Sequence, residues 1–369
     1  MKRAGLLTTI VVLGLAVAGV TAQRGGGRGG GGGGGLPPVG QIQKVRDNLY
    51  LIPGQGGVTT VVLQQNGVVL VDTKMPNNGE AILTQVKSVT DKPVSMIINT
   101  HSHPDHMGSN AFFPATVEKV THENTKKWMG NNAQNASNPA VMPTKTFTDR
   151  MTLGSGNDRI ELYYFGAGHT DGDAFIVFPA LRAMNVGDLM AWKMAPLIDP
   201  GAGGSIVALG DTLAKAEKAI TNVDVVIEGH GDANTFQGFR DYGEFMRGLV
   251  ETARQGLAKG QTTAQALEEL KKNTKFAAFL KTERLKDLEY GDTGENRALI
   301  NLNVAYQELR GEPVTTNFGP VASIGPEKGS APAPAPRGGG AGRGGPGGPG
   351  RGAPGGAPPA PAPGAPPAK

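Results

Sequence analysis

Short runs and alternations of apolar residues predict a series of β-strands in the first two thirds of the chain. They lie at residues 41–52, 59–63, 68–72, 94–98, 116–120, 147–153, 160–165, 174–178, 182–186 and 223–227. Asn66-Gly67, between the second and third runs, is a strong signal for a tight hairpin. The residues around Ser155-Gly156 and the residue Pro179 indicate two further hairpin turns.

A second pattern, with apolar residues three and four positions apart, predicts helices. It begins at Ile82 and continues to Val89, and Asn78 precedes it as the expected helix cap. Further helices are predicted at residues 123–129, 211–220, 242–257, 263–271 and 298–309. Hairpins mixed with strand–helix–strand units predict an α/β or α+β class with mixed sheets over residues 41–235. A helical extension over residues 236–315 follows.

The two ends of the chain lack these patterns. Residues 6–18 are apolar, follow Lys2-Arg3 and precede small residues, which predicts a secretory signal peptide over residues 1–22. The apolar run is short for a membrane span of about 20 residues, so cleavage is favoured over an uncleaved anchor, and no other stretch is apolar enough to cross a bilayer. The Gly-rich residues 23–40 predict a flexible linker, and the Pro-, Gly- and Ala-rich residues 329–369 predict a disordered tail. We therefore expect an exported protein, periplasmic or extracellular.

The net charge of +4 belongs to the ends of the chain. Eight Lys and Arg residues lie there without any Asp or Glu, and the remaining 28 basic residues face 32 acidic ones. The folded part is therefore acidic overall, which argues against a nucleic-acid-binding groove. The chain has no Cys, which excludes disulfides, a thiol nucleophile and thiolate metal ligands.

The strongest chemical signal is the segment 99–108, Asn-Thr-His-Ser-His-Pro-Asp-His-Met-Gly, at the end of a predicted strand. Imidazole and carboxylate are good zinc ligands, and neutral imidazole is available near pH 7. His101 and His103 point the same way in an extended segment and can share one ion. Asp105 and His106 follow a turn and can reach a second. Packing alone is a poor explanation for four such residues within six positions.

Four other segments, with this one, form an ordered set of motifs. They are Val69-Leu70-Val71-Asp72, Gly168-His169-Thr170, Val186-Gly187-Asp188 and Glu228-Gly229-His230-Gly231. With the His-x-His-x-Asp-His segment they resemble the five motifs of the metallo-β-lactamase superfamily, over roughly residues 48–232. The resemblance implies an α+β fold, an αββα sandwich with the metal site at one edge of its sheets.

The resemblance also implies a site with two zinc ions per chain. The first would be held by His101, His103 and His169, the second by Asp105, His106 and His230, and both by Asp188. A hydroxide shared by the ions would attack a carbonyl carbon, and Asp105 would help to manage the proton. Asp72 and Thr170 would orient the ligands.

Taken singly, several of these residues have simpler explanations. His169 could be a loop histidine bonded to the backbone, Asp188 could form a turn, and Asp72 could simply end a strand. It is the combination of motifs that favours metal binding for each of them.

Residues outside the motifs carry weaker signals. His122 matches no motif and is expected to be structural. Lys193 could bind a substrate carboxylate, although a solvated Lys is the simpler expectation. The loops at residues 194–205 and 131–143, rich in Gly, Pro and Asn, could border the site on opposite sides.

The kind of ligand at residue 188 bears on the reaction. One subclass of classical lactamases has Cys at the position of Asp188 and another lacks the bridging Asp, whereas hydroxyacylglutathione hydrolases and related enzymes have it. We therefore expect a hydrolase that cleaves an ester, lactone, thioester or amide in a small molecule, with β-lactamase as the alternative. A nuclease of this fold would need a basic channel, which the charge opposes. A non-catalytic binding protein is opposed by the intact ligand set.

Overall fold

The structure is a computed structural model and describes residues 37–284, 292–315 and 324–325. These residues belong to one compact unit, Met1–Lys328. The predicted signal peptide, most of the predicted linker and the predicted tail lie outside the described residues. Within the described part of the chain, no helix has the length and apolar character of a membrane span.

Two β-sheets form the centre of the molecule. The first contains β1 (Gln43–Arg46), β2 (Leu49–Ile52), β3 (Thr59–Leu63), β4 (Val68–Val71), β5 (Val94–Ile98), β6 (Glu118–His122) and β7 (Lys145–Phe147), in chain order. The strands from β1 to β4 pair antiparallel, and those from β4 to β7 pair parallel. The sheet is therefore mixed, as the alternation of hairpins and strand–helix–strand units predicts.

The second sheet is also mixed. It contains β8 (Arg150–Leu153), β9 (Ile160–Tyr163), β10 (Phe175–Phe178), β11 (Ala183–Asn185), β12 (Val225–Ile227) and β13 (Ala233–Thr235), in the order β13-β12-β11-β10-β9-β8. Only β11 and β12 are parallel, and the chain between them includes a long helix. A short pair, β14 (Glu283–Arg284) and β15 (Asp292–Thr293), lies apart from both sheets.

Helices cover the outer faces of the two sheets. They are α1 (Gly79–Lys87), α2 (Pro104–Met107), α3 (Glu123–Asn131), α4 (Ala133–Ala136), α5 (Ile206–Ala219), α6 (Phe236–Ala258), α7 (Thr263–Lys271), α8 (Ala277–Leu280) and α9 (Gly294–Arg310). The predicted hairpin at Asn66-Gly67 and the predicted C-terminal helices are confirmed. Asn78 occupies the cap position of α1, but its side chain donates to the carbonyls of Met75 and Pro76 and does not cap the helix.

The alternation of side chains along each strand builds four layers. In β10, Ile176 and Phe178 face the first sheet, where they pack with Val71 of β4. Phe175 and Val177 face α5 and α6 instead. A third apolar cluster lies between the first sheet and α1. The expected order of helix, sheet, sheet and helix is therefore present, with a C-terminal helical region.

The predicted strand at residues 147–153 is divided between the two sheets. Phe147 ends β7 in the first sheet, and Arg150 begins β8 in the second. The carbonyl of Thr148 accepts a hydrogen bond from the His122 ring in the first sheet, and the carbonyl of Asp149 accepts one from the backbone of Tyr164 in the second. The apolar pattern continues across the break because both sheets bury the same central core.

The last helix holds the loop at residues 194–205. Glu308 of α9 accepts hydrogen bonds from the Ser205 hydroxyl and from the backbone N–H groups of Ile206 and Val207, at 2.7–3.2 Å. Asn301 donates to the Pro196 carbonyl at 2.8 Å. The helical C-terminal region therefore acts on a loop that precedes it by about a hundred residues.

Candidate metal centre

The seven candidate ligands lie at one edge of the sandwich. His101, His103, Asp105 and His106 follow β5, His169 precedes β10, Asp188 follows β11, and His230 follows β12. Because β4 and β5 are parallel, and β11 and β12 are parallel, the carboxyl ends of each pair meet at the same edge of their sheet. The structure thus brings together residues that are up to about 130 positions apart in the sequence.

Three imidazole rings form the first group. One nitrogen each of His101, His103 and His169 lies within 4.8 Å of the other two. The Nε2 atom of His169 is 3.2 Å from Nε2 of His101 and 2.9 Å from Nδ1 of His103. His101 and His169 are almost completely buried.

The other nitrogen of each ring faces a hydrogen-bond acceptor. Nε2 of His103 donates to the Asp199 carboxylate at 2.8 Å, and Nδ1 of His169 donates to the Leu197 carbonyl. Nδ1 of His101 donates to the Thr100 hydroxyl at 3.0 Å. These bonds leave a lone pair on each of the three converging nitrogens. One proton could bridge only two of them, whereas a metal ion can bind all three.

The second group is built in the same way. Nδ1 of His106 donates to Asp72 at 2.8 Å, so in the neutral ring the lone pair is on Nε2. That atom lies 3.2 Å from Nε2 of His230, which is itself 3.2 Å from the Asp105 carboxylate. Ligand-type atoms of Asp105, His106 and His230 all lie within 4.8 Å of one another. The donor set of nitrogens and carboxylates therefore fits a divalent ion.

Asp188 contacts both groups. Its Oδ1 atom is 3.2 Å from Nε2 of His106, and its Oδ2 atom is 3.4 Å from His230 and 3.7 Å from His169. The Oδ1 atom is buried, and no hydrogen-bond donor is assigned to it among the described residues. The two oxygens of this carboxylate thus face imidazole nitrogens of different groups, which is the geometry that a shared metal ligand would need.

Burial and nearby carboxylates shift the pKa values of the imidazole rings in opposite directions. Burial lowers the pKa of His169 to about 4 and that of His101 well below its usual range, so both rings are neutral at pH 7. Burial also lowers the pKa of His106, but the carboxylates of Asp188 and Asp105 outweigh it and raise that pKa. A proton on the His106 ring thus offsets negative charge on the carboxylates of the second group. A divalent ion bound there would offset the same charge.

Asp72 and Thr170 differ in what they touch. Asp72 accepts hydrogen bonds from His106 and from both the backbone N–H and the hydroxyl of Thr100, so it orients a ligand in each group. Thr170 instead bonds through its backbone and its hydroxyl to the buried Asp173. It orders the turn after His169 and has no recorded bond to a ligand side chain among the described residues.

A cavity of about 570 Å³ opens onto these ligands. Its wall includes the segment 53–58, residues 197–199 and the side chains of Trp192, Arg284 and Arg297. Residues 131–143 are not among the residues that line it, so the loop predicted for the opposite wall is replaced by the segment that precedes β3. Lys193 is exposed and does not line this cavity either.

Four residues next to the candidate ligands were not singled out from the sequence. Leu197 and Asp199 lie in the loop predicted to border the site, but their contacts with His169 and His103 were not predicted. Trp192 stacks on the His230 ring, with ring centres 4.3 Å apart. Arg284 comes from the C-terminal region. Of these four residues, Trp192 lies nearest in the sequence to a candidate ligand, four positions after Asp188.

The segment before β3 is held by a buried lysine. Lys74 donates to the carbonyls of Ile52 and Gly57 at 2.6 and 2.9 Å. Gly57 lies against the His106 ring so closely that a Cβ would be 2.3 Å from Cε1. Lys74 therefore helps to place the cavity wall.

Replacing Lys74 by Met should change the pH dependence of stability. Burial lowers the pKa of Lys74 to about 7, below its value of about 10.5 in the unfolded chain. Between these values the unfolded state binds more protons, so the stability that Lys74 contributes rises with pH and is lost as pH falls towards 7. The unfolding free energy of the wild type minus that of Lys74→Met should therefore rise by up to about 1 kcal/mol per pH unit.

Urea unfolding at several pH values measures this difference. The matched control is Lys92→Met, at an exposed Lys that also donates to a backbone carbonyl, that of Gln64. A slope equal to that of the control would contradict the prediction.

Comparisons with known proteins bear on the family. Residues 53–191 match the family model described as the metallo-beta-lactamase superfamily. That range contains six of the seven candidate ligands, and His230 lies beyond it.

Individual relatives match longer or shorter stretches. A metallo-beta-lactamase type 2 from Elizabethkingia meningoseptica is 26% identical over 210 residues, which cover 53% of this chain and 80% of that protein. The alpha subunit of 2,4-dinitroanisole O-demethylase from Nocardioides sp. (strain JS1661) is 28% identical over 150 residues, 40% of this chain and 45% of that one. A solved metallo-beta-lactamase from Pontibacter korlensis aligns with a TM-score of 0.49 and 20% identity, over 56% of this chain and 98% of that chain.

Proposed function

Since this chain belongs to the metallo-beta-lactamase superfamily and is a metal-dependent hydrolase, we propose that it holds two zinc ions and cleaves an ester, lactone, thioester or amide bond in a small molecule. The observation that carries the proposal is the orientation of the imidazole rings. In the first group, a hydrogen bond at the outer nitrogen of each ring aims the remaining lone pair at a common point, and in the second group the bond from His106 to Asp72 orients that ring in the same way. The cavity of about 570 Å³ is of the size that takes a small molecule.

The proposed ligand sets follow the two groups. One ion is assigned to His101, His103 and His169, the other to Asp105, His106 and His230, and Asp188 is shared. Imidazole and carboxylate ligands in the absence of any Cys favour zinc over softer ions. Two zinc ions bound there would supply a water of near-neutral pKa and would polarise the oxygen of the scissile carbonyl.

The protein groups around the ligands would support this chemistry. Asp72 keeps His101, through Thr100, and His106 in the tautomers that bind metal. Burial works to raise the pKa of Asp105, but His106 and His230 outweigh it and lower that pKa to about 2. Asp105 is therefore ionised at neutral pH, lines the cavity, and is suited to bind metal and to accept a hydrogen bond from a water bound there.

The first test measures zinc content and turnover together. Purified protein loaded with zinc should contain about two ions per chain and should hydrolyse at least one of a chromogenic cephalosporin, an aryl ester, a lactone and a thioester. A chelator should abolish turnover, and zinc should restore it. Wild-type protein that binds no more zinc than His103→Ala would contradict the proposal and would favour a non-catalytic binding protein.

The control for that variant is His122→Asn. His122 is the one His outside the two groups, and its Nδ1 accepts a hydrogen bond from the backbone of Asn124 at the start of α3. Asn is a preferred residue at such a cap. Zinc content close to that of the wild type in His122→Asn, with loss in His103→Ala, would tie the metal to the proposed site.

β-Lactam hydrolysis is the second candidate activity. It is favoured by the sequence similarity to the metallo-beta-lactamase type 2 from Elizabethkingia meningoseptica. Asp188 at the shared position and the absence of Cys support the broader group of ester, lactone and thioester hydrolases instead. Turnover of the cephalosporin well above that of the other probes would decide for the lactamase.

We also propose that the protein is exported and that residues 1–22 are removed. The charged start, apolar run and small residues of that segment support this. Residues 41–235 are proposed as the catalytic domain and residues 236–315 as its helical extension, with the ends at 23–40 and 329–369 as spacer and tail. Sequencing the N-terminus of the protein recovered outside the cytoplasm tests the cleavage, which is expected to leave Gln23 first.

A further inference from the structure

Trp192 lies between a candidate metal ligand and a guanidinium group. One side of its ring stacks on His230, with ring centres 4.3 Å apart and an interplanar angle of 27°. The guanidinium carbon of Arg284 lies 3.6 Å from the centre of the Trp192 ring. The sum of the two distances, about 8 Å, is the farthest that this carbon can lie from the centre of the His230 ring. Arg284 is therefore close to the metal centre.

Among the described residues, the two guanidinium groups of this wall share a single carboxylate. Arg297 binds Asp292 through two hydrogen bonds, of 2.5 and 2.9 Å. Arg284 also donates to Asp292, at 3.1 Å. These three groups, counted alone, carry one net positive charge. Arg297 is buried, whereas the side chain of Arg284 keeps 27% of its surface exposed and lines the cavity.

Four described acidic residues line the cavity, and none of them has a recorded hydrogen bond or ion pair with Arg284. Asp105 and Asp188 face the imidazole groups, Asp199 is bonded to His103, and Asp232 lies at the exposed rim. A planar guanidinium held against an aromatic face is fixed in orientation, and its free N–H groups are suited to a carboxylate. If Arg284 packed on Trp192 only to stabilise the fold, its guanidinium group would not need to face the cavity.

We propose that Arg284 binds a carboxylate of the substrate while the metal centre holds the bond to be cleaved. The substrates would be anions whose carboxylate lies a few bonds from the scissile carbonyl. Trp192 would set the distance between the two sites, because it contacts both His230 and Arg284. This inference rests on the proposed metal centre, and it assigns to the C-terminal region the selection of charge in the substrate.

A pair of thiol ligands tests the proposal without turnover. Zinc-loaded full-length protein is titrated calorimetrically with 4-mercaptobutanoate and with its amide, which differ only in the charged group. Thiolate binds zinc in both ligands. The carboxylate ligand should bind about tenfold more tightly than the amide, as a charge-assisted hydrogen bond predicts. Arg284→Ala should remove this preference and leave the affinity for the amide within about twofold, and Arg284→Lys should keep part of it.

The control variant is Arg240→Ala. Arg240 also lies over an aromatic ring, that of Phe236, and pairs with a carboxylate, that of Glu217, but it does not line the cavity. This variant should bind the carboxylate ligand more tightly than the amide, to the same degree as the wild type. Equal affinities of the two ligands for the wild type, or a preference that persists in Arg284→Ala, would overturn the inference and leave the metal centre standing. Failure of both ligands to bind zinc-loaded wild type would overturn the metal centre and the inference with it.

Discussion

Replacing Asp188 by Asn should reduce hydrolysis by about three orders of magnitude and lower the zinc content from about two ions per chain to about one. Asp188 is the only carboxylate in the described site with recorded contacts to a His of each group, His106 at 3.2 Å and His169 at 3.7 Å. Asn keeps the size of the side chain but has no negative charge and one oxygen fewer. Metal analysis and turnover of a probe that the wild type cleaves measure the two effects.

Zinc content and turnover, compared with thermal stability, distinguish a shared metal ligand from a residue that is needed only for folding. The control is Asp211→Asn, on the exposed face of α5, which should match the wild type in both measurements. The thermal unfolding of metal-free Asp188→Asn should stay within a few degrees of metal-free wild type. Full zinc content in Asp188→Asn, or loss of activity only through unfolding, would exclude the shared role.

Replacing Gly229 by Ala should reduce zinc binding and lower activity by about a hundredfold or more. An added Cβ would lie 1.9 Å from Oδ1 of Asp188 and 2.7 Å from the carbonyl carbon of Gly187. The backbone cannot yield easily, because the Gly229 N–H donates to the carbonyls of Gly187 and Met190 and its own carbonyl accepts from Val58. A displacement of about 1 Å at the site is sufficient for a loss of this size. The crowding should also cost about 1–3 kcal/mol of stability.

Gly130→Ala is the matched control. Gly130 lies in α3, and a Cβ there meets only the end of the Met142 side chain, at 3.8 Å. Because Ala is the better helix former, this variant should be as stable as the wild type or slightly more so. Chemical unfolding, zinc content and turnover are compared for both variants. Normal zinc content and turnover in Gly229→Ala would show that Asp188 and His230 do not depend on the close approach of that backbone.

The candidate ligands other than His169 were accessible from the sequence because they follow the end of a strand within a few residues. The segment 101–106 carries four of them within six residues, so their chemistry is visible without any knowledge of the fold. Asp188 and His230 follow apolar runs that form parallel strands. Parallel strands end at the same edge of a sheet, which makes a common site the natural consequence of the order of the elements.

The course of the chain between the sheets was not accessible in the same way. The run at residues 147–153 looks like one strand, yet β7 and β8 belong to different sheets. Alternation of apolar residues indicates which side chains of a strand are buried. It does not identify the sheet against which those side chains pack. The hydrogen bonds of Thr148 and Asp149, which are made to residues distant in sequence, decide where the chain crosses.

Residue types and their spacing were enough to single out the candidate ligands, and the alternation of apolar residues was enough to predict mixed sheets with helices. The groups that surround these candidate ligands could not be predicted, because they come from distant parts of the chain. The contacts of Asp199 with His103 and of Arg284 with Trp192 join residues about ninety positions apart. Such contacts depend on how α9 and the loops pack on a finished core, and packing of that kind leaves no periodic or local mark in a sequence.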